Sequence, residues 1–295
     1  MGYVFLLISL FAGVTKGYCG KKTSSYTATL GSAVFANTIR MFLCIFIGFL
    51  LILATEDLRI LIPSPRLLLI SALSGISSAV FVVSWLISVK KSAYMLLDIF
   101  LMLGVLIPLS ASSIFFGESV KLTQWAGIGV LFIAVVIMCS YNNAIKTKLT
   151  LPSFLLLLLC GIANGVADFS QKLFTKSIPG GSAAAFNFYT YVFAALVLVI
   201  AWAVTRKSAP NREKANLKKI FGYVLVMAIC LFANSYFKTL AAGHLSAVLL
   251  YPLSQGCALI LSAIMSAALF QEKLTAKAII GMITAFAGLL IINLL

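Results

Sequence analysis

Acidic side chains are scarce in this chain: 7 Asp and Glu stand against 22 Lys and Arg, and only 10% of the 295 residues carry a charge. A soluble surface needs roughly 25–35% charged residues, so this chain cannot cover a water-facing domain. Histidine occurs once, at His244. With one imidazole and no clustered carboxylates, neither a metal centre nor a membrane-embedded enzyme built on paired acid and base groups is expected. No glycine-rich phosphate loop is present, which leaves no nucleotide-driven machinery and no cofactor to expect. The six cysteines, Cys19, Cys44, Cys139, Cys160, Cys230 and Cys257, lie in or at the ends of apolar runs without CxxC spacing, and read as packing thiols.

What the chain does have is apolar length. It is 62% hydrophobic, with a mean hydropathy of +1.11. Ten runs near the length of a bilayer crossing fall at about residues 2–17, 31–54, 67–88, 93–115, 122–141, 152–174, 183–205, 217–241, 246–269 and 275–295. Continuous runs of this length exclude an outer-membrane barrel and predict helices, which satisfy their own backbone in lipid. The first run lacks a basic leader and a small-residue cleavage pattern, and is read as a mature helix.

A net charge of +15 would suggest nucleic acid in a soluble protein. Here the basic residues gather in short loops, where they report orientation, and no nucleic-acid partner is expected. Loops after the odd-numbered runs hold most of them, including six in "TRKSAPNREKANLKK". That side is expected to be cytoplasmic, with both termini outside.

An internal repeat is present. The stretch from Ser92, "SAYMLLDIFLMLGVLIPLSASSIFFGESVKLTQWAGIGVLF", aligns without a gap on the stretch from Ser246, "SAVLLYPLSQGCALILSAIMSAALFQEKLTAKAIIGMITAF". Ser92 matches Ser246, Glu118 matches Glu272 and Gly127 matches Gly281. Two halves of five runs each, 1–148 and 149–295, must enter the membrane in opposite senses because five is odd. The expected fold is therefore all-α, with ten transmembrane helices as two inverted-topology five-helix repeats.

The pattern of Ser-Ala, an apolar helix with Pro near its start, a later Glu and then Gly resembles the EamA repeat of the drug/metabolite transporter superfamily. The second half carries it as Ser246, Ala247, Pro252, Glu272 and Gly281, and the first as Ser92, Ala93, Glu118 and Gly127. Arg40 in "ANTIRMF" is similar to an arginine that members often place on the second helix. The resemblance spans essentially the whole chain. It implies a transporter in the plasma membrane, and termini on the cytoplasmic side, opposite to the loop charges.

Polar residues at depth are the candidates for function, because a charge in lipid costs about 2.5–3.5 kcal/mol on insertion scales and so faces a cavity or a partner. Asp98 occupies the place of Pro252 in the other half, and reads either as a cavity carboxylate or as a helix-end acid. Asn164, Asp168, Gln171 and Lys172 share one helical face, with Asp168 set to pair with Lys172 four residues on. Lys16 takes the place of Asp168 in the first half, either lining a cavity or closing a short first helix. Asn234 and Lys238 fall one turn apart, and Tyr251 and Gln255 lie on the ninth run. Asn37 and Asn187 read as interhelical hydrogen-bond donors. Glu118 and Glu272 read as turn carboxylates that accept N–H groups at the start of the next helix.

Together these predict a secondary transporter for a small polar metabolite, with a lean toward an amphoteric or anionic solute such as an amino acid. Lys16, Arg40 and Lys238 are the candidate anion ligands, Asp98 and Asp168 the proton or ammonium sites, and Asn164, Asn234, Tyr251 and Gln255 would orient the solute. Expected partners are the solute, the bilayer and protons as a candidate coupling ion. A lipid-linked-sugar or nucleotide-sugar carrier is the alternative within transport, a passive channel or a membrane-embedded enzyme the alternatives of a different class, and the sequence does not indicate an oligomeric state.

Overall fold

The computed structural model describes residues 1–24, 26, 27, 29–90, 100–139, 150–207, 217–270 and 276–294. Among these residues ten helices follow in order: α1 Gly2–Ser24, α2 Leu30–Thr55, α3 Pro65–Lys90, α4 Phe100–Phe116, α5 Leu122–Cys139, α6 Leu151–Ser177, α7 Ala183–Lys207, α8 Leu217–His244, α9 Ala247–Phe270 and α10 Ala276–Leu294. No strand occurs among them. Six, namely α1, α2, α3, α6, α7 and α8, are long and apolar enough to cross a membrane, and α4, α5, α9 and α10 hold shorter apolar stretches, Phe100–Phe116, Leu122–Ile137, Ala247–Leu261 and Ile279–Ile292. The chain is an all-α membrane protein.

The helix starts follow from local chemistry. Thr29 caps α2 and exchanges hydrogen bonds with Ser32, which satisfies N–H groups that a helix start leaves free. The Ser64 and Ser182 hydroxyls accept from Leu67 and Ala185 at the starts of α3 and α7. Pro65 opens α3 and Pro152 sits in the first turn of α6, where a missing N–H costs nothing. In α4 the regular helix restarts at Leu106 after a turn at Val105, one turn before Pro108. Gly117 then ends it at φ +65°, a left-handed turn that suits glycine and sends Glu118 back across the bundle.

Two boundaries correct the sequence reading. Helix α1 runs on to Ser24, so Lys16 lies inside it and does not close a short first helix. Helix α6 runs to Ser177, so Lys176 belongs to its last turn. In both cases the helix outlasts its apolar run, because polar residues at a helix end continue the backbone ladder beyond the hydrocarbon.

Packing pairs helices from opposite ends of the sequence. Helix α1 lies along α8, α3 along α6 and α7, α2 along α7 and α8, and α5 along α10. Exchange the first five helices for the last five and the pattern maps onto itself: α1 with α8 becomes α6 with α3, while α2 with α7 and α5 with α10 return to themselves. One buried cluster joins α1, α4, α5, α8, α9 and α10 around Leu6, Met102, Leu131 and Leu250. Another joins α2, α3, α7 and α8 around Met41, Ala79 and Leu198. Large apolar side chains such as Phe46, Leu69, Ile200 and Ile283 face outward, which water would penalise and lipid tails accept.

Helices α4 and α6 touch backbone to backbone. A methyl group at Gly161 would enter the Phe100 carbonyl oxygen, and one at Gly104 or Gly165 would enter the carbonyl oxygen of Gly161 or Gly104 respectively. Gly222 on α8 has open space instead. Gly161→Ala and Gly165→Ala are expected to lower stability by about 1–3 kcal/mol each, seen as a fall in Tm. Gly222→Ala should leave Tm unchanged or raise it, since alanine is the better helix former by about 1 kcal/mol. Equal losses at Gly222 and Gly161 would contradict a glycine-mediated α4–α6 contact.

Candidate functional site

Asp168, Gln171 and Lys172 share the buried face of α6 and are 7%, 7% and 2% exposed. The intrahelical pair predicted from their spacing is not made. Asp168 instead accepts from Lys238 on α8 at 2.6 Å. The Tyr251 hydroxyl on α9 donates to the Asp168 carbonyl oxygen at 2.6 Å, and its ring lies 5.4 Å from the Lys238 ammonium. Three predicted residues from three helices thus meet at one buried junction. Tertiary packing overrides the i, i+4 pairing because a charge buried between helices gains more from a fixed partner than from a flexible neighbour on its own helix.

Lys172 goes to a different place. Its ammonium lies 2.9 Å from Glu118 Oε1 and donates to the carbonyl oxygens of Ala242 at 3.1 Å and Leu245 at 2.6 Å. Those oxygens belong to the C-terminal end of α8, the negative end of its dipole. The other Glu118 oxygen accepts the Ala247 N–H at 2.8 Å, at the positive start of α9. Lys176 approaches the same carboxylate at 3.5 Å. The predicted turn role of Glu118 is corrected in its target: it caps α9, far along the chain, and not the helix that follows it. Lys121 at the start of α5 finds the Gln124 side chain instead. Glu272, the matching residue of the second half, and Asp98 lie outside the described residues.

The amides divide. Asn234 donates to the carbonyl and hydroxyl oxygens of Ser9 at 2.7 and 3.0 Å, and Ser9 donates back to the Asn234 carbonyl, so this side chain clamps α1 to α8. Asn187 is interhelical as expected: it bonds Thr239 and accepts from Ser235, which also receives the Gln171 amide. Asn37 is corrected to a bond within its own helix, to the Ala33 carbonyl. Asn164 and Gln255 are half-buried, one turn from Asp168 and from Tyr251 respectively. Of the repeat markers, Pro252 lies buried inside α9, Gly281 is buried in α10, and Gly127 brings α5 against Gly288.

Lys16 and Arg40 differ from every cation above. Lys16 is half-buried on α1 and lies within the electrostatic reach of Arg40, Lys238 and Asp168. Arg40 is 8% exposed on α2, and its buried Nε has no hydrogen-bond partner. The sequence did not indicate the roles of Ser9, Ser235 and Thr239. Small hydroxyls are too common in membrane helices to signal anything before their neighbours are known.

The described residues form a helical bundle with charged groups buried between its helices. The EamA-like transporter family matches residues 151–294, so the C-terminal part of the chain carries an EamA-like domain. A solved crystal structure matches 99% of this chain and 96% of its own length with a TM-score of 0.77 at 13% identity, a likeness of fold. No curated protein matches.

Glu118 lies in the turn outside the spanning helices. Burial works to raise its carboxyl, but the Ala247 N–H and the Lys172 and Lys176 ammonium groups outweigh it and hold the group below its ordinary value of 4.5. A depressed carboxyl stabilises the fold at pH above the unfolded value and loses that contribution as pH falls toward the folded one. Glu118→Gln is therefore expected to cost about 3 kcal/mol at neutral pH, by leaving Lys172 buried without its counter-charge. The Tm gap between wild type and variant should stay constant down to about pH 5 and close below pH 4.5. A gap independent of pH would remove the ion pair as its cause.

Proposed function

We propose that the protein is a secondary active transporter that moves a small polar metabolite, an amino acid or similar solute, across the plasma membrane by alternating access. The observation that supports this most directly is the charge along α8. Lys16 and Arg40 come from helices of the first half, while Asp168 and Lys238 come from the second, and α8 packs against α1, α2 and α6. Solute held there touches both halves at once.

The halves, 1–148 and 149–295, would then rock about that seam. The self-mapping contact pattern fits two half-structures that exchange conformations. Motion of this kind has to remake any link between halves, and the Glu118 bonds to Lys172 and Ala247 are such a link. Asp168 is the candidate coupling group, since adding a proton would release Lys238.

The test is flux in proteoliposomes with labelled amino acids and organic acids. Uptake should be accelerated by unlabelled solute on the opposite side, the mark of a site that reorients. Asp168→Asn should cut uptake at least about tenfold, the loss of one charge-assisted hydrogen bond. Uptake without counterflow, at rates above those of carriers, would make the protein a channel and sink alternating access.

A further inference from the structure

We infer that Lys16 and Arg40 form the anion-binding pole of the transport site, and that the solute is a small anion whose carboxylate or phosphate groups carry two negative charges. This rests on the transporter reading and narrows it: a neutral zwitterionic amino acid falls outside.

Neighbouring contacts fix the level of both residues along α8. Helix α1 runs antiparallel along α8, with Gly13 against Asn234 and Gly20 against Met227. Lys16 is thereby level with Leu231, near the middle of Leu217–His244. Helix α2 runs parallel to α8, with the Cys44 thiol donating to the Ala228 carbonyl at 3.4 Å and Gly48 against Phe232. Arg40, one turn before Cys44, is level with Val224. The two backbones are then separated along α8 by about 10 Å, from seven residues at 1.5 Å each, a gap that two long side chains span together. On the other side of Lys16, Lys238 lies about 10 Å along the same helix.

Charge and hydrogen bonding then point to one ligand chemistry. Lys16, Arg40 and Lys238 supply three positive charges and Asp168 one negative, which leaves two positive charges uncompensated among the described residues. Lys238 is already held by Asp168. The nearby polar groups are also engaged: Asn234 on Ser9, Ser235 on Asn187, and the Tyr191 hydroxyl on the Leu231 carbonyl. The groups left over are an ammonium and a guanidinium, both donors. Arg40 has a buried Nε with no acceptor, a costly arrangement that an anion would relieve. A guanidinium offers a planar fork that fits carboxylate or phosphate oxygens two at a time. An incoming ammonium would find its carboxylate, Asp168, already taken.

Such groups occur on free solutes and on lipid headgroups, and the test separates them. Thermal unfolding of the full chain is followed in phosphatidylcholine nanodiscs with succinate, inorganic phosphate, neutral succinamide or the dication putrescine, and separately in nanodiscs doped with phosphatidylglycerol. Succinate or phosphate should raise Tm by roughly 5 °C at about a hundred times its Kd, and succinamide and putrescine should not. Lys16→Gln and Arg40→Gln should each weaken that binding at least about tenfold, and Arg40→Lys should recover part of it. Without ligand, both glutamine variants should be at least as stable as wild type, because each removes a cation that has no ion-pair partner among the described residues.

A shift that survives in both glutamine variants would be a general salt effect and would overturn the site. So would stabilisation by succinamide or putrescine, or by phosphatidylglycerol alone. Anion binding without counterflow in proteoliposomes would defeat the transporter reading and leave the site standing. Counterflow of a neutral solute without anion binding would do the reverse.

Discussion

The bilayer interior contains no water to satisfy a charge, and that constraint explains how this molecule places the buried charges of its described residues. A buried cation must be paired, or be held for something that binds. Lys238 is paired with Asp168. Lys172 is paired with Glu118 and with the free carbonyls at the end of α8. Lys16 and Arg40 have no ion pair among the described residues, and they stand on the two first-half helices that pack against α8.

The same scarcity of water shapes the polar links between helices. Asn234 with Ser9, and Asn187 with Ser235 and Thr239, are short amide and hydroxyl bonds that fix α1 and α7 against α8. Glycines at the α4–α6 contact do the complementary work by removing side chains so that backbones meet. Lipid gives helices no hydrophobic reason to associate, so small residues and a few hydrogen bonds decide which faces touch. Helix α8, which carries most of these partners, becomes the post around which the charged residues are arranged.

The sequence made the helices legible because their signal is length and apolarity, both local properties. The shared helical face of Asp168 and Lys172 was equally legible, since 3.6 residues per turn is a local rule. Their partners were not. A period says which residues face inward but nothing of which helix lies opposite, so Asp168 was matched with Lys172 when its partner was 70 positions away. Glu118 failed in the same manner: its role at a helix start was readable from its turn, but the helix it caps begins 129 residues later. Long-range pairs of this kind are set by topology. Asn37 erred in the opposite sense, because an amide in a helix can always fall back on the carbonyl four residues before it.

The repeat gives these misassigned charges their meaning. Lys16 and Asp168 occupy equivalent places in the two halves, on α1 and α6. Both approach α8, although only α1 lies along its length. Strict symmetry would have given both positions the same charge and both the same kind of partner. The substitution of a cation for the acid in the first half means that Lys238 can neutralise one position and only repel the other. Asp168 is thereby closed off by the protein itself, and Lys16 is left open, with Arg40 adding to the same sign. The asymmetry between halves is thus an asymmetry of charge balance, and it falls beside α8, where a solute would be held while the halves exchange shape.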